Sequence, residues 1–131
     1  MSIMIKPKIL VVEDQPEILS TTKRLLERAG LEVFGAQTGE DGIRLSQKEE
    51  FDLVVLDVNL PGKSGFEVCT WLKQDFRFSR TPIIFASGDW TEENRQRAFE
   101  MGAVDCIDKP FDNSLFLQKI LSHLKKMRWK L

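Results

Sequence analysis

At roughly 100–200 residues per domain, a chain of 131 residues is expected to form a single domain. A composition of 42% hydrophobic and 30% charged residues suits a globular protein with a sizeable core and argues against intrinsic disorder. Lys and Arg number 19 against 20 Asp and Glu, a net charge of −1, so no bulk positive field exists to hold a phosphate backbone or an anionic bilayer. Direct nucleic-acid binding and membrane association are therefore not expected. The opening Met1-Ser2-Ile3-Met4-Ile5-Lys6-Pro7 is too short and too soon broken for a secretory signal, and no stretch approaches the ~18 apolar residues of a membrane span. Two cysteines, Cys69 and Cys106, make no disulfide framework, and one His leaves a Cys/His zinc site short of ligands. Reduced thiols and a cytoplasmic location are the expectation.

Lys8–Val12 is a short β-branched run that stops at Glu13-Asp14, the pattern of a central strand buried on both faces. After Pro16, a favoured first helical residue, Ile18, Thr22, Leu25 and Ala29 recur at helical spacing until Gly30 closes the pattern. Leu31–Ala36 reads as a strand, Gly39–Glu49 as a short helix, and Leu53–Leu56 as a second apolar strand ending on Asp57. Asn59-Leu60-Pro61-Gly62-Lys63 is turn chemistry, and Ser64 caps a helix reaching about Asp75. Pro82–Ser87 is the next strand, Thr91–Met101 an amphipathic helix closed by Gly102, Ala103–Ile107 a fifth strand, and Asn113 onward a helix toward the terminus. Strands alternating with helices imply parallel pairing by right-handed crossovers, hence one doubly wound α/β domain: an open five-stranded sheet with helices on both faces. Ligands in such folds bind beyond the carboxyl ends of the strands.

The chemistry lies at those ends. Glu13 and Asp14 follow the first strand, Asp57 ends the third, Ser87 the fourth, and Lys109 follows the fifth. Three carboxylates brought together repel one another unless a cation neutralises them, and all-oxygen ligation favours a hard ion, Mg²⁺ or Mn²⁺. A phosphate-cradling loop would place glycines or hydroxyls after the first strand. Here the loop is Glu13-Asp14-Gln15-Pro16, whose charges repel an anion and whose proline offers no N–H.

Val11-Val12-Glu13-Asp14, Asp57-Val58-Asn59-Leu60-Pro61-Gly62, Pro82-Ile83-Ile84-Phe85-Ala86-Ser87-Gly88 and Lys109-Pro110-Phe111, in this order, resemble the response regulator receiver domain of bacterial two-component signalling. The resemblance covers about residues 8–125. It implies a flavodoxin-like phosphoacceptor module and not an enzyme acting on external substrates. A sensor histidine kinase or phosphotransfer protein would be the donor, and an unidentified output domain or downstream protein the recipient of the signal. It also implies that Asp57 accepts the phosphoryl group, that Asp14 and Glu13 hold Mg²⁺ (Glu13 through water) together with Asp57, and that Asn59 supplies a backbone carbonyl. Ser87 would hydrogen-bond the phosphoryl oxygen, Lys109 would pair with it, and Lys109-Pro110 would be a cis peptide.

Two features depart from the family. The strand-five position that usually carries a switching Tyr or Phe is Cys106, and the chain contains no Tyr. A thiol cannot swing as a ring does, so the loop holding Trp90 is expected to respond to phosphorylation while the fifth strand changes little. Nothing in the sequence offers an output module. Residues 126–131, beyond the core, read as a helix extension or the start of a linker. Ile120, Leu124, Met127 and Leu131 are spaced four, three and four apart, too few repeats for a coiled coil, and Lys125, Lys126, Arg128 and Lys130 complement a helix C-terminus. His123 reads as a surface residue, Trp71 as core or groove filling. An aspartyl-nucleophile phosphatase is the rival enzyme reading, but such sites want an acid two residues after the nucleophile, where this chain has Asn59.

Overall fold

The computed structural model describes residues 5–127 and 129. Its elements alternate strictly: β1 (Lys8–Val12), α1 (Pro16–Arg28), β2 (Glu32–Ala36), α2 (Gly39–Lys48), β3 (Leu53–Asp57), α3 (Gly65–Gln74), β4 (Ile83–Ser87), α4 (Glu92–Glu100), β5 (Asp105–Asp108) and α5 (Asn113–Lys126), with one short 3-10 turn at Phe76–Phe78. All five strands pair in parallel in the order β2-β1-β3-β4-β5. The chain steps outward from β1 to β2 and returns to the other side at β3, so the strand order reverses between β1 and β3. That is the switch point at which doubly wound sheets open a crevice.

Because successive strand side chains point to opposite faces, the apolar strands build two cores. Leu10, Val12, Val54, Leu56, Ile83, Phe85 and Cys106 pack with Phe66, Val68, Cys69, Leu72 and Ala98 beneath α2, α3 and α4. Ile9, Val11, Leu53, Val55, Ile84 and Ile107 pack with Leu26, Phe116, Ile120 and Leu124 beneath α1 and α5. Full burial of a side chain of this size contributes about 1.5–3 kcal/mol, and Ile9–Val12, Leu53–Leu56 and Ile83–Ala86 within β1, β3 and β4 are unbroken apolar runs for this reason.

Side chains define where the helices begin. Thr38 Oγ1 accepts from Asp41 N, Thr91 Oγ1 from Asn94 N, and Asp112 Oδ1 from Leu115 N. Ser64 and Glu67 form a reciprocal capping box at α3.

Four expectations are corrected. Strand β5 begins at Asp105, since the Ala103 N–H donates to Ala98 O and closes α4 instead of entering the ladder. Helix α5, expected to run toward the terminus, ends at Lys126 with Met127 as its C-cap, and the two alternatives for 126–131 rest largely on residues outside those described. The expectations for Arg128, Lys130 and Leu131 fall outside those residues. Trp71 is half exposed at 52% and lines a groove with Ile43, Ser46 and Asp75, so it does not enter the core, whereas Phe78 is buried. His123 is no surface residue: its side chain is 12% exposed and Nε2 lies 3.2 Å from Asp105 Oδ2.

Candidate functional site

The crevice at the switch point collects what the strand ends deliver. Glu13 follows β1, and its N–H donates to Ala36 O, which fixes the loop against β2. Asp57 closes β3. One carboxylate oxygen from each of Glu13, Asp14 and Asp57 falls within 4.8 Å of the other two. Glu13 and Asp57 are buried, at 4% and 6% exposure. Burying an unpaired carboxylate is costly, and Lys109 supplies the compensation. Its ammonium, on the residue that follows β5 and precedes a cis bond to Pro110, lies 2.5 Å from Glu13 Oε1 and 2.7 Å from Asp57 Oδ2.

The remaining lone pairs are met locally. Asp57 Oδ1 accepts from Asn59 N at 3.0 Å, and Glu13 Oε2 from Gln15 N at 3.1 Å. Burial pushes the Glu13 carboxyl above its usual range, against the opposing pull of the Lys109 hydrogen bond. Burial likewise disfavours the Lys109 ammonium, but its bonds to Asp57 and Glu13 prevail and hold its pKa above normal. Three carboxylates against one ammonium leave an excess of two negative charges, and hard oxygen donors carry it. The residues present therefore fit a divalent ion such as Mg²⁺.

Gly65 explains how β3 and α3 meet so closely. A Cβ on Gly65 would collide with the backbone carbonyl oxygen of Asp57, and the Gly65 N–H donates to Val58 O. Pro61-Gly62 makes the turn between them, Gly62 with φ of 73°.

Ser87 closes β4, buried at 3%, beside the Lys109 backbone, whose N–H donates to Ser87 O. Its hydroxyl is not aimed at Asp57: it donates to Asp89 Oδ1 at 2.8 Å. The side chain of Asn59 reaches the same atom, Nδ2 donating at 3.0 Å. The structure brings Glu13, Asp14, Asp57 and Lys109 into one cluster; Asn59 meets Asp57 through its N–H, Ser87 is buried with its hydroxyl on Asp89, and Asp89 is not among the residues the sequence singles out. The available signal was an acid two residues beyond the strand-four hydroxyl, in Ser87-Gly88-Asp89.

Trp90 ties its loop to β5. Its indole N–H donates to Ile107 O at 2.9 Å, its ring packs on the core cluster that contains Cys106, and the Arg95 guanidinium lies 5.2 Å from the ring centroid.

Residues 9–121 match the family model of the response regulator receiver domain. The chain belongs to that family. It is 35% identical over 119 residues to the transcriptional regulatory protein YvrH of Bacillus subtilis, covering 90% of this chain and 49% of that protein. Among solved structures, a CheY-like receiver domain from Methanospirillum hungatei superposes with a TM-score of 0.88 at 30% identity, covering 95% of this chain and 98% of that one. The chemotaxis protein CheY4 of Vibrio cholerae gives 0.87 at 29% identity, with coverage of 90% and 98%. The receiver spans about half the length of the curated relatives it matches. Among the described residues, no helix is long and apolar enough to cross a membrane.

Proposed function

We propose that this receiver takes a phosphoryl group on Asp57 from a sensor histidine kinase or a phosphotransfer protein, in a reaction that requires Mg²⁺. The observation that carries the assignment is the Lys109 ammonium bridging Glu13 and Asp57 inside a cluster of three carboxylates. A lone buried aspartate would be a poor nucleophile toward an anion, and this one is charge-compensated on one side and open to a divalent ion on the other.

In the transfer, an Asp57 carboxylate oxygen forms a bond to phosphorus as the P–N bond of the phosphohistidine breaks and the imidazole departs. The Asn59 N–H holds Asp57 Oδ1, which fixes the carboxylate plane during attack. Lys109 Nζ, already on Asp57 Oδ2, stabilises charge on the transferring oxygens. Asp14, Glu13, Asp57 and the Asn59 carbonyl would hold the ion, Glu13 through water. When bound, Mg²⁺ (or Mn²⁺ in its place) offsets the repulsion between carboxylate and phosphoryl group. Ser87 then accepts the role of hydroxyl donor to the phosphoryl oxygen.

The reading makes this chain a single receiver domain over 1–131 that works in the cytoplasm and passes its signal to an output domain or a separate protein. Binding to DNA would then belong to that partner. Catalysis is confined to the domain's own phosphorylation and dephosphorylation. Incubation with acetyl phosphate and Mg²⁺ should add the mass of one phosphoryl group, and Asp57→Asn should abolish the adduct, since an amide is no nucleophile. Undiminished labelling of that variant would overturn the assignment. Multiple turnovers of the donor without an adduct would favour the phosphatase reading.

A further inference from the structure

Three hydrogen bonds not used in the transfer converge on Asp89. Its Oδ1 accepts from the Ser87 hydroxyl at 2.8 Å and from Asn59 Nδ2 at 3.0 Å, while its own N–H donates back to Ser87 Oγ at 3.2 Å. The last contact closes a ring with the first, so the only proton of the Ser87 hydroxyl is committed to a carboxylate. The Asn59 bond ties the loop after β3 to the loop after β4 through the same oxygen.

We propose that Asp89 is a positioning residue that clasps the Ser87 hydroxyl in the unphosphorylated domain, so that phosphorylation must exchange a carboxylate acceptor for a phosphoryl one. This rests on the phosphoacceptor reading, in which Ser87 serves the phosphoryl oxygen. Both acceptors are anionic and each makes a charge-assisted bond, so the exchange is close to balanced and the loop has two comparable arrangements. Asp89 lies in the exposed loop and Ser87 is buried. Release therefore returns the carboxylate to water and the Asn59 amide, while the hydroxyl stays in the dry crevice for its new partner. A ligand that needs the free hydroxyl loses apparent affinity in proportion to the fraction clasped.

Beryllofluoride in the presence of Mg²⁺ is a suitable probe, its affinity measured by fluorine NMR titration on the folded domain. Asp89→Ala should tighten binding about three- to tenfold, because Asp89 is exposed and water reduces its bond to the net worth of an ordinary hydrogen bond. Asp89→Asn, which loses the charge but keeps an acceptor oxygen, should tighten it less. In a Ser87→Ala background, Asp89→Ala should have no effect, because there is no hydroxyl left to release. Simple repulsion of the anion by Asp89 predicts the opposite pattern: equal gains in Asp89→Asn and Asp89→Ala, persisting without Ser87. That pattern, or no gain in Asp89→Ala, would overturn the proposal. A parent domain that does not bind beryllofluoride would instead remove the phosphoacceptor reading and the clasp with it.

Discussion

Lys109 does two jobs with one charge. Its side chain is 14% exposed and stands between two nearly buried carboxylates, so it makes their burial tolerable before any metal arrives. Its raised pKa means that this stabilisation is complete below the ordinary lysine value of 10.5 and is lost as pH rises through the higher folded value. Lys109→Ala should destabilise the metal-free domain by about 1–3 kcal/mol, less than a fully buried pair because water reaches the site. Since the amine repels a cation, the variant should bind Mg²⁺ no worse than the parent. The metal-induced rise in melting temperature, read by calorimetry, should then be at least as large in the variant; a smaller rise would refute this account of the residue. Gly65 is a purely steric case. Gly65→Ala drives a methyl into the Asp57 carbonyl, a backbone atom that cannot turn aside, and should cost about 1–3 kcal/mol in urea denaturation.

At the scale of elements, α5 is fastened to β5 by polar groups as well as by its apolar stripe. Lys119 Nζ lies 3.2 Å from Asp105 Oδ1, and His123 Nε2, one turn further on, 3.2 Å from Oδ2. Partial burial alone would push the Asp105 carboxyl up, but its bonds to His123 and Lys119 prevail and hold it below its ordinary 3.8. The pairing therefore stabilises the fold above about that pH and fades as pH falls through the lower folded value. Asp105→Asn should cost about 1 kcal/mol at neutral pH, and the gap between variant and parent should close in acid denaturation experiments below pH ~4. A gap unchanged with pH would mean that the loss is one of shape, not of charge. None of this was legible in the sequence. The spacing of Lys119 and His123 marks one helix face, and the period of two puts Asp105 on the same side of β5 as Ile107, but only the fold decides that α5 covers that side. Strand cores and helix starts were legible because apolar runs and capping residues act locally. Trp71 and Phe78 show the limit: both are aromatic near one helix end, and only the 3-10 turn after Asp75 decides that Phe78 goes in.

For the molecule as a whole, sheet order determines how a change at Asp57 can travel. Strands β3, β4 and β5 lie side by side, so Ser87 at the end of β4 stands between the acceptor and the outer strand. The sequence suggests that Cys106, in place of a ring, leaves β5 indifferent to the loop. The structure supplies a different link, from the loop itself: Trp90 holds Ile107 O, and Arg95, stacked over that indole, lies 3.8 Å from Asp108 Oδ1. Acid, hydroxyl and amine at strand ends were legible because each sits at a fixed place after an apolar run. This link was not, because it depends on where an indole folds back. With the N–H anchored, the loop cannot shift without moving or releasing the β5 backbone. Adding Mg²⁺ and beryllofluoride should therefore change amide exchange in Asp105–Asp108 together with the Gly88–Trp90 loop. Trp90→Phe keeps a ring in the core but loses the donor, so in that variant the loop should respond while β5 exchange stays nearly constant. Constant β5 exchange in the parent domain would show that the anchor slips, and that the loop signals alone.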